Sequence, residues 1–292
     1  MNILTFDIEE WFLDYSKGLG TREKNARYDN YLHEILDALD RNHIKATFFC
    51  VGQMGVLFPE VVKLIHNHGH EIGCHSNSHT WLNKMTAAEC REDTRCAVDS
   101  LEQCTGEKVK SYRAPAFSIG NTNKWAFEVL AENGIERDAS IFPVARSFGG
   151  FAHFGQKAPC IVEYNGIHIK EFPVCTTKVL GKETAYSGGG YFRFFPLSFM
   201  EKRMRKNLYA ICYFHISDLV TELRGFQSKT EYEAYFQERG TLKARCMRYV
   251  KGNLGKKNAL SKMMRLIDEM DFISLIQADE EIDWSTSQIV KL

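Results

Sequence analysis

Apolar positions follow two rhythms through the first half of the chain. Residues 2–7 and 45–51 are short continuous runs rich in β-branched and aromatic side chains, which predicts buried strands. Between them Tyr28, Tyr31, Leu32, Ile35, Leu36 and Leu39 recur at helical spacing, the mark of a helix with one apolar face. Pro59 opens another helix that runs to His68, and Gly69 supplies its left-handed stop. Residues 71–74 read as a third strand. Thr86-Ala-Ala-Glu89 is a capping box that starts a helix reaching Cys104. A strand over 109–113, a helix over 124–133 ended by Gly134 and a strand over 135–140 complete an unbroken β-α alternation. That order predicts parallel strands wrapped by helices.

Beyond residue 140 the pattern changes. Residues 160–164 and 167–174 flank Asn165-Gly166, a hairpin with a tight turn. Gly188-Gly189-Gly190 interrupts the chain before Tyr191, and fits either a plain turn or a loop where backbone approaches a sugar. A helix over 196–207 leads to residues 209–215, an apolar strand closed by His215. After Ser228 the chain reads as helical and basic, with 272–276 as a final strand.

Composition narrows the class. The 292 residues are 44% hydrophobic and 25% charged, and 37 basic side chains balance 37 acidic ones. An ordinary apolar fraction excludes a disordered chain, and charge neutrality removes the global field that draws nucleic acid or an anionic membrane. One large domain is expected, with a core over 1–220 and a helical tail over 221–292. Nine scattered cysteines contain no Cys-x-x-Cys pair, so neither a zinc ribbon nor a dithiol redox site is encoded. No apolar run is long enough to span a bilayer, and the start lacks the features of a secretory leader. A cytoplasmic location is expected.

Polar residues gather at the expected strand ends: Asp7 and Glu9 after the first, His75 after the third, Arg113 after the next, Asp138 near the one that follows, and His215 after the last. In a parallel barrel these ends form one rim, where catalysis is found. His75-Ser-Asn-Ser-His79 places two imidazoles one helical turn apart, on one face, as a divalent metal requires. The same spacing also fits a capping and surface pair. A metal would need a carboxylate from elsewhere, with Asp7, Glu9 and Glu10 as candidates.

Asp7-Ile-Glu9, His75-Ser-Asn-Ser-His79, Arg113-Ala-Pro115, Asp138-Ala-Ser140 and Phe214-His215 fall in the order of the polysaccharide deacetylase family, carbohydrate esterase family 4. Over residues 1 to about 220 the chain resembles the branch associated with bacterial exopolysaccharide and surface-glycan clusters. The resemblance implies an α/β fold, a distorted (β/α) barrel with about seven parallel strands, carrying an extra β-hairpin and a helical tail. It implies hydrolysis of an N-acetyl group from an amino sugar. His75, His79 and Glu9 become ligands of one divalent metal ion, most readily Zn²⁺, with Co²⁺, Ni²⁺ or Fe²⁺ as others that suit such a set. Asp7 becomes the general base, Arg113 its orienting partner, His215 the general acid and Asp138 the group that orients His215. Ala116 and Tyr191 are the expected substrate-binding positions. Glu10 could replace Glu9, or Asp7 and Glu9 could exchange roles. After His215 the branch continues Pro-Trp-Glu where this chain has Ile216-Ser217-Asp218.

The expected partner is an N-acetylated sugar or glycan precursor met before export. Nucleic acid is excluded by charge, and the basic run from Lys243 to Arg265 fits either a solvated helix face or contact with lipid or nucleotide phosphates. Two other functions share these residues: an allantoinase-like amide hydrolase that needs no metal, and a catalytically silent glycan-binding protein.

Overall fold

The computed structural model describes residues 1–18, 22–144, 149–236 and 238–292. Its strands are β1 (Asn2–Ile8), β2 (Thr47–Cys50), β3 (Glu71–Cys74), β4 (Ser111–Tyr112), β5 (Arg137–Asp138), β6 (Cys160–Tyr164), β7 (Ile167–Glu171), β8 (Thr176–Val179), β9 (Lys182–Ala185), β10 (Ala210–His215) and β11 (Ile289–Lys291). The helices are α1 (Glu10–Ser16), α2 (Arg22–Arg41), α3 (Gly52–Leu57), α4 (Pro59–Asn67), α5 (Ala87–Thr105), α6 (Ala126–Glu132), α7 (Gly189–Phe194), α8 (Leu197–Lys206), α9 (Ile216–Leu219), α10 (Lys229–Phe236), α11 (Leu242–Asn253), α12 (Ala259–Glu269) and α13 (Leu275–Glu281).

These elements form an α/β fold around a nine-stranded sheet ordered β10-β1-β2-β3-β4-β5-β7-β6-β11. β10, β1, β2, β3, β4, β5 and β7 run parallel, and β6 turns back along β7. Among the described residues the sheet runs from edge strand β10 to edge strand β11. The central strands are apolar on both faces, as helices on both sides require. Phe6 stacks on Phe48 with ring centroids 4.9 Å apart, and Phe214 joins Phe6 to Phe192. Leu32, Ile35, Leu36 and Leu39 of α2 are fully buried, the face that their spacing predicts.

Several local expectations hold. Thr86 and Glu89 close the capping box of α5, Gly69 and Gly134 take positive φ after their helices, and Asn165-Gly166 turns the β6–β7 hairpin with positive φ at both residues. Others change. The strands expected over 109–113 and 135–140 shrink to two residues each. Residues 272–276 do not form a strand: Ser274 caps α13 through Gln277, and only Ile273 bridges to Ile3. The tail ends in β11, which pairs with β6. The β8–β9 hairpin was not expected from the pattern; its polar, half-exposed strands carry little apolar signal.

The glycine triplet has a packing reason. Residue 188 bridges β10 at Tyr213, and a Cβ on Gly188 would lie 2.3 Å from the Tyr213 carbonyl oxygen. Only glycine lets the backbone come so close. The chain thereby seals the outer edge of the strand that ends in His215.

Candidate active site

Every strand that carries an expected catalytic residue delivers it at its C-terminal end. Asp7 and His215 are register partners across β1 and β10. The ladder continues past β2 and β3, since His75 N–H donates to the Cys50 carbonyl and Arg113 N–H to the Cys74 carbonyl, each at 2.9 Å. The side chains of Asp7, Glu9, His75, His79, Arg113 and His215 therefore converge at one end of the sheet, which is what separates this set from polar residues scattered by chance.

Glu9, His75 and His79 each point one ligand atom into a common point, with those atoms within 4.8 Å of one another. Glu9 Oε2 lies 2.6 Å from His79 Nε2 and 3.4 Å from His75 Nε2. The two histidines do not sit on a helix. Residues 75–79 form a loop in which Ser76 and His79 both take positive φ, a conformation that costs about 1–3 kcal/mol where nothing holds it. Here Asn77 N–H donates to Asp93 of α5, while the Ser76 and Asn77 carbonyls accept from the first amides of α3. The histidines meet because the loop folds back, not through helical periodicity.

Arg113 orders the rest. Its Nη1 donates to Asp7 Oδ1 at 2.8 Å and to Thr5 Oγ1 at 2.7 Å, and Nε donates to the Ala139 carbonyl. Both Arg113 and Asp7 are buried, so the pair is charge-assisted and little screened. The Arg113 carbonyl accepts from His75 Nδ1 at 2.7 Å. A proton on Nδ1 leaves His75 Nε2 with its lone pair aimed at Glu9.

His215 closes the opposite side, with Nε2 3.7 Å from Asp7 Oδ2 and 3.8 Å from Glu9 Oε1. Burial pulls its pKa down, but the charges of Glu9, Asp218 and Asp7 outweigh this and push it up to about 10. The same charges act on Glu9. Burial raises its carboxyl, and His79 and His215 hold it well below the usual carboxylate range. Glu10 does not join the cluster: its Oε1 accepts from Ser217 N–H at 2.7 Å, and burial beside Glu9 lifts it to about 7.

One expected role moves to another residue. Asp138 does not orient His215; it accepts from Ser140 Oγ at 2.5 Å and lies against Glu171 in the interior. Burial raises both carboxyls, Glu171 well above the ordinary range, where the charge of its register partner Asp138 adds to the effect. Asp138 Oδ2 and Glu171 Oε2 have no hydrogen-bond partner, a state that burial makes costly for two ionised carboxylates. Asp138 supports the site indirectly, because Ser140 Oγ accepts from Ala114 N–H next to Arg113. The acid in contact with His215 is Asp218, whose Oδ2 lies 3.0 Å from His215 Nδ1. It also pairs with the buried Arg193. The signal was present as an acid three residues after a strand-end histidine, where α9 begins and Asp218 closes a capping box on His215.

Ala116 takes φ 55° in the turn Pro115–Phe117 and packs against the cluster of Trp81, Tyr232 and Phe236. A Cβ on Gly149 would meet the Ala116 carbonyl at 2.2 Å, so a glycine-only approach holds this turn from outside. Tyr191 packs against the cluster of Phe117, Phe142 and Tyr213. Both expected substrate positions thus belong to apolar clusters flanking the polar centre.

Comparison with known proteins agrees with this geometry. Residues 3–137 match the family "Polysaccharide deacetylase". The match covers a little under half of the chain. Residues 139–279 match a domain of unknown function, DUF3473. A peptidoglycan-N-acetylglucosamine deacetylase of Bacillus cereus is 40% identical over 96 residues, 32% of this chain and 35% of that protein. A peptidoglycan deacetylase of Helicobacter pylori is 29% identical over 128 residues, 44% of this chain and 41% of that protein. The matches span about a third of the first of these relatives. A crystal structure of a Mycobacterium smegmatis protein assigned to the polysaccharide deacetylases superposes over 100% of this chain and 92% of its own, with TM-score 0.64 and 18% identity; at that identity it shows the fold. The segment that matches the deacetylase family carries Asp7, Glu9, His75, His79 and Arg113, whereas His215 and Asp218 come from the second half.

The donor set fits a divalent cation. Glu9 Oε2 and His75 Nε2 are buried without a hydrogen-bond partner, a costly state that a cation relieves. Two imidazole nitrogens and one carboxylate oxygen suit zinc and its neighbours with a position left open. Zn²⁺ added to chelator-stripped protein should raise the melting temperature, by the equivalent of about 2.7 kcal/mol once free metal reaches about 100 times Kd. Glu9→Gln or His79→Ala should lose the shift, and an equal shift in these variants would place the metal elsewhere.

The Asp138–Glu171 pair gives a pH prediction. The folded pKa of Glu171 lies above its unfolded one, so the unfolded chain releases the proton first. Stability then falls as pH rises from the ordinary carboxylate range toward the folded value. Glu171→Gln keeps an acceptor for Ile141 N–H without that titration. Its melting temperature relative to the native chain should climb between pH 5 and pH 8, followed by scanning calorimetry; a difference independent of pH would show Glu171 ionised in the fold.

Proposed function

We propose that the protein is a metal-dependent hydrolase that removes an N-acetyl group from an amino sugar of a surface polysaccharide or its precursor. The observation that carries this reading is the placement of Asp7 and His215, 3.7 Å apart, beside the Glu9–His75–His79 cluster. The names of the relatives, deacetylases of peptidoglycan, point to the same bond.

Each residue has a separate task. Arg113 holds one Asp7 oxygen and leaves Oδ2 to take a proton from the attacking water. The water oxygen bonds to the acetyl carbonyl carbon, and the carbon–nitrogen bond then breaks. His215 delivers a proton from Nε2, which lies 3.7 Å from Asp7 Oδ2, to the departing sugar amine. Asp218 accepts from Nδ1 and fixes the ring plane. A divalent cation on Glu9, His75 and His79 would polarise the amide carbonyl and acidify water. Acetate and a free amine are the products.

Acetate release from N-acetylated oligosaccharides, peptidoglycan fragments and nucleotide-linked N-acetyl sugars tests the reading. Chelator should abolish release and Zn²⁺ restore it, while Asp7→Asn should lower kcat by at least about 10²-fold. Release that survives chelator, or that is unchanged in Asp7→Asn, would contradict the mechanism. The absence of acetate from every substrate would point to a protein that binds glycan without turnover.

A further inference from the structure

Helix α11 has its amphipathicity reversed. None of its residues is buried, and the side that packs on the protein is formed by Ala244, Arg245, Arg248 and Gly252. Ala244 joins the Trp81 cluster, Arg248 lies 4.2 Å from the Phe236 ring, Arg245 lies 5.2 Å from the Phe226 ring, and Gly252 faces Arg224. At 100° per residue the opposite arc carries Leu242, Cys246, Met247, Tyr249 and Val250. Their exposure is 64% for Leu242, 48% for Met247 and 57% for Val250. Leu223 and Phe226 extend the same patch at 60% and 47%, with Phe226 edge-on to Tyr249 at 5.8 Å. A surface helix normally turns such residues inward, and an apolar patch of this kind marks an interaction site.

Charge identifies the occupant. In a chain that is neutral overall, residues 239–267 contain nine Lys and Arg and no Asp or Glu. Lys243 lies within the exposed arc of α11, between Val250 and Met247, Lys251 borders it, and both are exposed. A symmetric contact with a second copy would press these like charges together. Apolar side chains bordered by lysines instead match an anionic lipid surface, where the chains enter the acyl boundary and the ammonium groups reach the headgroup phosphates. No helix among the described residues is long and apolar enough to cross a membrane, so the contact is interfacial.

We infer that α11 and the adjoining 223–226 segment dock the protein on an anionic membrane surface. The patch is tied to the catalytic rim: Arg224 N–H donates to Asn253 of α11, the Arg224 guanidinium donates to Ser217 Oγ, and Arg193, paired with Asp218, donates to the Lys251 carbonyl. Docking therefore holds the turn after His215 close to the lipid.

The test is co-sedimentation of the full chain with vesicles of phosphatidylcholine alone and of phosphatidylcholine containing phosphatidylglycerol. Binding should require the anionic lipid and weaken with salt. Lys243→Glu/Lys251→Glu should lower partitioning at least about tenfold, and Met247→Ser/Val250→Ser should lower it at low salt as well. All four side chains are exposed, so melting temperatures should match the native chain. Absence of binding, binding indifferent to lipid charge, or binding unchanged in both double variants would overturn the inference. So would a dimer in light scattering that Met247→Ser/Val250→Ser dissolves. The readout is lipid partitioning alone, so it stands or falls separately from deacetylation.

Discussion

The buried guanidinium of Arg113 is the constraint on which the site depends. A charge with about one-hundredth of its surface exposed must be paired, and losing one partner of such a pair costs about 3–5 kcal/mol. Asp7 supplies the countercharge, while Thr5 and the Ala139 carbonyl take further donors. The Arg113 carbonyl fixes the proton of His75 on Nδ1. One residue thus orients the proposed base through its side chain and sets the tautomer of a proposed metal ligand through its backbone. Phe49, 4.3 Å beneath the guanidinium, closes the remaining face.

The two halves of the chain meet at this point. The parallel strands from β1 to β5 lie within or at the edge of the segment that matches the deacetylase family, and β10 adds to β1 from the second half. β10 brings His215, and α9 brings Asp218, so the expected acid and its orienting partner come from the region of unknown function. β7 brings Glu171 against Asp138 at the far side of β5. The proposed chemistry accordingly needs the second half for its proton donor, while the cluster that fits a metal lies wholly in the first.

Much of this was legible in the sequence because it depends on local pattern. Strand ends are marked by where apolar runs stop, and those stops placed Asp7, His75, Arg113 and His215 on one rim. The capping box of α5 and the Asn165-Gly166 turn are short-range signals of the same kind. Side-chain partnership across the sheet was less legible. Asp138 sits at a strand end like the others, but its carboxyl turns to Ser140 and Glu171, a choice made by burial among residues distant in sequence. The His75–His79 spacing suggested a helix, whereas contacts from α3 and Asp93 impose a loop with two left-handed residues. Reversed amphipathicity in α11 was hidden because its basic residues read as a solvated face until the packing showed which side faces the protein.

Anomalous diffraction at the zinc edge, on crystals of the full chain grown with Zn²⁺, tests the central arrangement most directly. The account predicts one strong peak ligated by Glu9, His75 and His79, with Asp7 still bound to Arg113 and outside the ligand set. A peak ligated by Asp7 in place of Glu9, or a peak away from both histidines, would contradict it.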